Sequence, residues 1–135
     1  TDADIICAAT TSSTPVLHYQ DLKSGAHING VGSFQPSMQE IDSETIKNAL
    51  VFVDSRESAL SETGDLTIPI QKGIIGKNHL RAEIGELLEN PSLGRNTPDE
   101  ITFFKSCGVA VQDVVAAGMA LEQAKKNNLG RIIRM

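Results

Sequence analysis

The chain has 135 residues, 40% apolar and 21% charged, enough for one domain with a sizeable core. Twelve basic against 17 acidic residues give a net charge of −5, which speaks against nucleic acid or an anionic membrane as partner. No apolar run reaches the length of a membrane span, and Cys7 and Cys107 form neither a CxxC pair nor a disulfide framework, so a reducing cytoplasm is the expected setting.

In chain order, Ile5–Ala9 is an apolar run closed by the polar "TTSSTP" and predicts a strand buried on both faces. Ala26–Val31 predicts a second such strand. Ile46–Leu50 falls in a short helix opening near Asp42 and Ser43, with Glu44 in its first turn. "ALVFVD" predicts a third strand, the richest in β-branched and aromatic residues. "SRESALSETGD" predicts a short helix capped by Ser55 and stopped by Gly64. "LTIPIQKGIIGKNHL" reads as loop, punctuated by Pro69, Gly73 and Gly76. "LRAEIGELLEN" places Leu80, Ile84, Leu87 and Leu88 on one helical face. After the turn-rich "PSLGRNTPDE", "EITFFKSCG" predicts a strand. "VAVQDVVAAGMALEQAKKNNLG" predicts the longest helix, favoured by Lys125 and Lys126 in its last turn and stopped by Gly130.

Short apolar strands alternating with helices predict an α/β fold with a mainly parallel sheet, and such sheets bind ligands at the carboxyl ends of their strands. Three predicted strand ends carry small or polar residues: Ala9-Thr10-Thr11, Val31-Gly32-Ser33 and Asp54-Ser55. That pattern suits a cofactor approaching backbone, and it equally suits ordinary βα loops. Gly30-Val31-Gly32 is only a GxG, and no GxGxxG follows the first strand.

Among the titratable residues, His18, His27 and His79 are scattered, and no metal site is expected. His27 lies inside a strand, where packing and a backbone partner would satisfy it. Asp54 is expected to cap a helix rather than touch a ligand. Glu83 and Glu86 read as a solvated face or a contact to another domain. Lys105 reads as a structural or phosphate-side lysine ahead of a catalytic one.

Five segments, "ADIICAATTSSTPVL", "LKSGAHINGVGSFQPSMQEID", "VFVDSRESALSETGDL", "AEIGELL" and "PDEITFFKSCGVAVQDVVAA", occur in that order. Together they closely resemble the C-terminal part of the ornithine cyclodeaminase/mu-crystallin family, most specifically in "GAHINGVGS" and "FFKSCGVAVQD". The resemblance implies the second half of a Rossmann-type NAD(P)-binding domain over residues 1–105. Residues 106–135 would form a C-terminal helix returning to a substrate and dimerisation domain. The abrupt start at Thr1 fits a piece of a longer protein, inactive alone and a homodimer when whole.

By that resemblance the strand end Asn29–Val31 would lie beside a nicotinamide ring, with glycine letting the backbone approach. Ala9, Thr10 and Thr11 would line the cofactor, NAD or NADP, and Ser106, Cys107 and Gly108 would come back over it. Cys107 would be a lining residue rather than a nucleophile. Ornithine cyclodeaminases carry an aspartate in the loop after the second strand, and Phe34 stands at that position here. No catalytic residue is therefore assigned in this chain. The departure favours the ketimine reductase-like branch, in which hydride passes to a cyclic imine such as pyrroline-2-carboxylate, or an amino acid is oxidised. The alternatives are ornithine cyclodeamination and a cofactor-dependent binding protein of the mu-crystallin kind.

Overall fold

The computed structural model describes residues 2–131 and Ile133. Five parallel strands form one sheet: β1 (Ile5–Ala8), β2 (His27–Gly30), β3 (Leu50–Val53), β4 (Leu80–Glu83) and β5 (Thr102–Lys105), in the order β1-β2-β5-β3-β4. Five α-helices accompany them: α1 (Ser43–Asn48), α2 (Arg56–Glu62), α3 (Gly64–Gln71), α4 (Ile84–Glu89) and α5 (Ala110–Lys126). The parallel α/β architecture expected from the sequence is present.

Strand side chains alternate between two faces, and the two faces differ. On one, Ala8, Ile28, Val51, Val53 and Phe103 pack against Ile41, Ile46, Ala59 and Leu66 to form the core. On the other, His27, Asn29, Phe52, Thr102 and Phe104 line an open cavity of about 340 Å³, walled by Ile84, Leu87 and Arg95.

Several expectations are corrected. The first strand is not buried on both faces: β1 is an edge strand, only Ala8 is buried, and Ile5 is 66% exposed. An apolar run reports that a strand forms but not where it stands in the sheet. Leu50 belongs to β3, not to the preceding helix. α2 ends at Glu62 with Thr63 as its C-cap, beside Gly64 as expected, but Gly64 lacks the positive φ of a glycine stop. It opens α3, in a segment expected to be loop, and Pro69 lies inside that helix. The proline's missing donor is tolerated because Leu66, Thr67 and Pro69 are buried. Gly64 itself sits where a Cβ would run into the Met38 and Pro36 carbonyl oxygens. The helix expected from Leu80 divides into β4 and α4, joined at Glu83. α5 ends at Lys126 with Asn127 as its C-cap, and its left-handed stop is Asn128 rather than Gly130. Asn128 takes φ +54°, Leu129 N–H donates to the Ala124 carbonyl (2.8 Å) and Asn128 N–H to the Lys125 carbonyl (3.2 Å). That pairing satisfies two of the orphaned carbonyls at the helix end.

Caps fix the helices on the covered face. Asp42 accepts from Thr45 N–H at 2.8 Å, and Ser55 Oγ accepts from Ser58 N–H at 3.3 Å. Asp42 also accepts from Tyr19 N–H (3.3 Å) and lies 3.6 Å from His18. Asp42→Ala is therefore expected to lower unfolding free energy by about 1–2 kcal/mol, and Ser55→Ala by about 0.5–1 kcal/mol. Urea denaturation of both variants checks the order; equal losses would leave the extra Asp42 contacts without weight.

Candidate functional site

Because the strands are parallel, the loops leaving β1, β2, β5 and β3 all emerge at one sheet edge. Ladder bonds continue past the strand ends: Val31 N–H donates to the Ala8 carbonyl (2.8 Å) and Ser106 N–H to the Gly30 carbonyl (3.0 Å). These bonds bring Ala9, Thr10, Thr11, Val31, Ser106, Cys107 and Gly108 to one rim. Ala9, Thr10, Thr11 and Gly108 are exposed, Ser106 and Cys107 half-buried, and Val31 is 50% exposed. Gly108 has φ +76° and open space where a Cβ would stand. The side chain of Asn29 is not on this rim. It lies on the open sheet face, with Nδ2 donating to Cys7 Sγ (3.7 Å) and Oδ1 3.2 Å from His27 Nε2. His27 Nδ1 is 2.7 Å from Thr102 Oγ1, so both its partners are side chains, not the backbone group expected.

Three fully buried charged side chains lie beneath the rim: Glu40, Asp65 and Lys105. Glu40 Oε1 accepts from Thr10 N–H; its Oε2 accepts from Gly32 N–H (2.7 Å) and Ser33 N–H (3.1 Å). One carboxyl group thus joins the loops after β1 and β2. Asp65 Oδ1 accepts from Glu40 N–H (2.7 Å) and Ile41 N–H (3.1 Å), and its other oxygen is buried without a partner. Burial pushes the Asp65 carboxyl up to about 6, against the pull of those two backbone donors. Lys105 Nζ donates to the Gly30 and Ser106 carbonyls, both at 3.0 Å. Burial lowers its pKa, with Asp65 the nearest opposing influence. Lys105 is thus tied into the structure, stitching β2 to the end of β5.

Asp54 does not cap a helix; Ser55 does. Asp54 Oδ2 accepts from Ser106 Oγ (3.2 Å), Cys107 N–H (2.8 Å) and Gly108 N–H (2.9 Å), and Oδ1 from Ser55 N–H (2.9 Å). It shapes the loop after β5. The Cys107 thiol is pushed up to about 11, first by burial and then by Asp54, so it stays protonated. Glu86 is solvent-exposed, as expected, and both carboxyl groups also have partners: Glu83 accepts from Arg56 N–H (2.7 Å), and Glu86 pairs with the Arg56 guanidinium (2.6 Å) and accepts from Glu83 N–H (2.7 Å). Among the described residues no group of three or more His, Cys, Asp or Glu side chains is placed to share a metal ion, and no helix is long and apolar enough to cross a membrane.

The glycines of "GVG" answer to packing. A Cβ on Gly30 would lie 2.6 Å from Phe103 Cε2, and one on Gly32 would collide with the Thr10 backbone and Glu40. The missing side chains of Gly30 and Gly32 thus make room for groups of the protein itself, Phe103, Thr10 and Glu40.

The rim therefore offers small neutral side chains, hydroxyls and one apolar surface, Val31. Glu40 and Lys105 are spent on backbone groups, and Asp54 on backbone groups and the Ser106 hydroxyl. Phe34, in the loop after β2, is 55% exposed.

A parallel α/β sheet whose loops form such a rim at the carboxyl edge is the architecture of nucleotide-binding proteins. More narrowly, the chain belongs to the ornithine cyclodeaminase/mu-crystallin family, whose model matches residues 1–128. It is 45% identical over 133 residues to the Delta(1)-pyrroline-2-carboxylate reductase of Bacillus cereus, covering 98% of this chain and 41% of that relative. The structure of Thermococcus litoralis Delta(1)-pyrroline-2-carboxylate reductase in complex with NADH and L-proline matches with a TM-score of 0.90 at 38% identity, over 98% of this chain and 41% of that one. An archaeal alanine dehydrogenase dimer with bound NAD matches with a TM-score of 0.85 at 36% identity, again over 98% and 41%. The chain spans about 41% of the length of these relatives.

Proposed function

We propose that the protein, in its full natural length, is an NAD(P)-dependent oxidoreductase acting on a cyclic imino acid of the pyrroline-2-carboxylate type. The observation that carries this reading is that, among the described residues, the rim presents no free acid or base. Its carboxyl groups and its lysine are held by backbone, its thiol stays protonated, and an exposed phenyl ring stands at position 34. A deaminating enzyme needs a group that handles a proton on the substrate amine. A reductase asks these residues chiefly to hold two reactants in line. The similarity to a reductase crystallised with NADH and L-proline supports the same choice.

The nicotinamide cofactor supplies the hydride. Ala9, Thr10, Thr11, Val31, Ser106, Cys107 and Gly108 would hold it. Val31 offers apolar surface to a flat ring, the threonine and serine hydroxyls offer hydrogen bonds, and Gly108 leaves room for close approach. Asn29 is left out of this set, because its side chain turns to the open face. Residues 1–105 are read as part of the NAD(P)-binding unit. α5, none of whose residues is buried and whose Val111, Val114, Val115 and Met119 are exposed, is read as the return toward a substrate and dimerisation domain. The 135 residues alone are expected to lack turnover, since the described rim presents no free cation to grip a substrate carboxylate.

The test is an assay of the full-length protein with pyrroline-2-carboxylate and either NADH or NADPH, followed by cofactor absorbance. Imine-dependent loss of the reduced cofactor is the expected result. Ammonia release from ornithine without net NADH would replace this reading with cyclodeamination. Cofactor binding without turnover of any imine or amino acid would leave a binding protein.

A further inference from the structure

We propose that Glu40 is the positioning residue of the cofactor rim: it sets NAD(P)H affinity by locking the loop after β1 to the loop after β2. The inference rests on reading the rim as the cofactor edge, but it goes further, to a residue that touches no ligand. Glu40 is fully buried, yet its two oxygens serve backbone N–H groups on two different loops, Thr10 on one side and Gly32 and Ser33 on the other. Thr10 and its neighbours are exposed; turn bonds at Ser12 and Thr14 and the Gln39 N–H to Ser12 carbonyl bond (3.2 Å) shape the far end of the loop, while Glu40 alone ties the Thr10 backbone N–H to the loop after β2. Gly32 admits Glu40 because a Cβ there would strike the carboxyl oxygen and the Thr10 backbone. Glu40 is itself held from below, its own N–H bonded to Asp65. A rim ordered before the cofactor arrives need not be ordered by it, and that saving appears as affinity.

Glu40→Gln keeps the size of the side chain and one acceptor oxygen. The amide NH₂ must then face the N–H of Thr10 or those of Gly32 and Ser33, donor against donor, and one loop comes loose. In the full-length protein the expected result is a rise of about 10-fold or more in the Kd and KM for NAD(P)H. The KM for the imine and kcat at saturating cofactor are expected to stay within about 2-fold. A general structural defect would move all of these together and would overturn the proposal, as would a folded Glu40→Gln variant with unchanged cofactor affinity. Should that variant not fold, amide hydrogen exchange on the unaltered protein decides. Slow exchange at Thr10, Gly32 and Ser33 before cofactor is added supports Glu40 as the lock; fast exchange there that slows only with cofactor overturns it. Failure of the unaltered protein to bind NAD(P)H is seen before any variant is made. It sinks the cofactor reading and this inference together, whereas the other outcomes touch the inference alone.

Discussion

Phe103→Ala is expected to lower the unfolding free energy by about 3–5 kcal/mol. Phe103 is fully buried on β5, flanked by β2 and β3, and it belongs to the core cluster. Its ring lies against Gly30, where a Cβ would stand 2.6 Å from Cε2 and 2.9 Å from Cζ. The glycine and the ring therefore share one space. Gly30→Ala alone is expected to cost about 1–3 kcal/mol through overpacking. Shortening the neighbour with Phe103→Leu makes room for the added methyl. The double variant should then be less destabilised than the two single losses combined, by at least about 0.5 kcal/mol. Urea denaturation of the four proteins measures that coupling. Simple additivity would mean that ring and glycine are not in contact.

Asp65→Asn is expected to remove a pH dependence of stability. The Asp65 carboxyl titrates at about 6 in the folded chain against 3.8 for an ordinary aspartate, because burial disfavours its charge. A raised folded-state value means that folding favours the protonated form. This contribution is fully present below pH 3.8, declines as pH rises, and is lost above about 6. The shift, in which the opposing pull of Lys105 is already included, corresponds to about 3 kcal/mol at most. Asparagine keeps an acceptor for Glu40 and Ile41 N–H but carries no charge. The stability of Asp65→Asn relative to the unaltered protein should therefore rise between about pH 4 and pH 7. A difference that stays flat over that range in thermal unfolding would show that Asp65 does not titrate there.

How much was legible in the sequence depends on which physical signal each element carries. β2, β3 and β5 announce themselves through compact apolar, β-branched or aromatic runs. β4 does not. It has only four residues, runs straight into α4, and its Leu80 falls by coincidence in helical phase with Ile84 and Leu87. α3 was hidden by Pro69, whose local cost is offset by burial that no local pattern reveals. At the site, the exposed rim could be located from small and polar residues at strand ends, together with the family resemblance. Its foundation could not. Glu40 and Asp65 hold backbone N–H groups, and every residue but proline has one, so no spacing of side chains marks the pair. The same holds for Gly30 and Gly32, whose missing side chains make room for Phe103 and Thr10, residues distant along the chain.

The exposure of Phe34 separates two kinds of selection. The core packing around Phe103 and the helix caps that hold the scaffold are built from residues other than Phe34. A change at position 34 is therefore expected to alter an exposed surface of the loop after β2 while leaving the folding of the sheet nearly untouched. On such a scaffold, an exposed loop position is free to vary without a cost to the core.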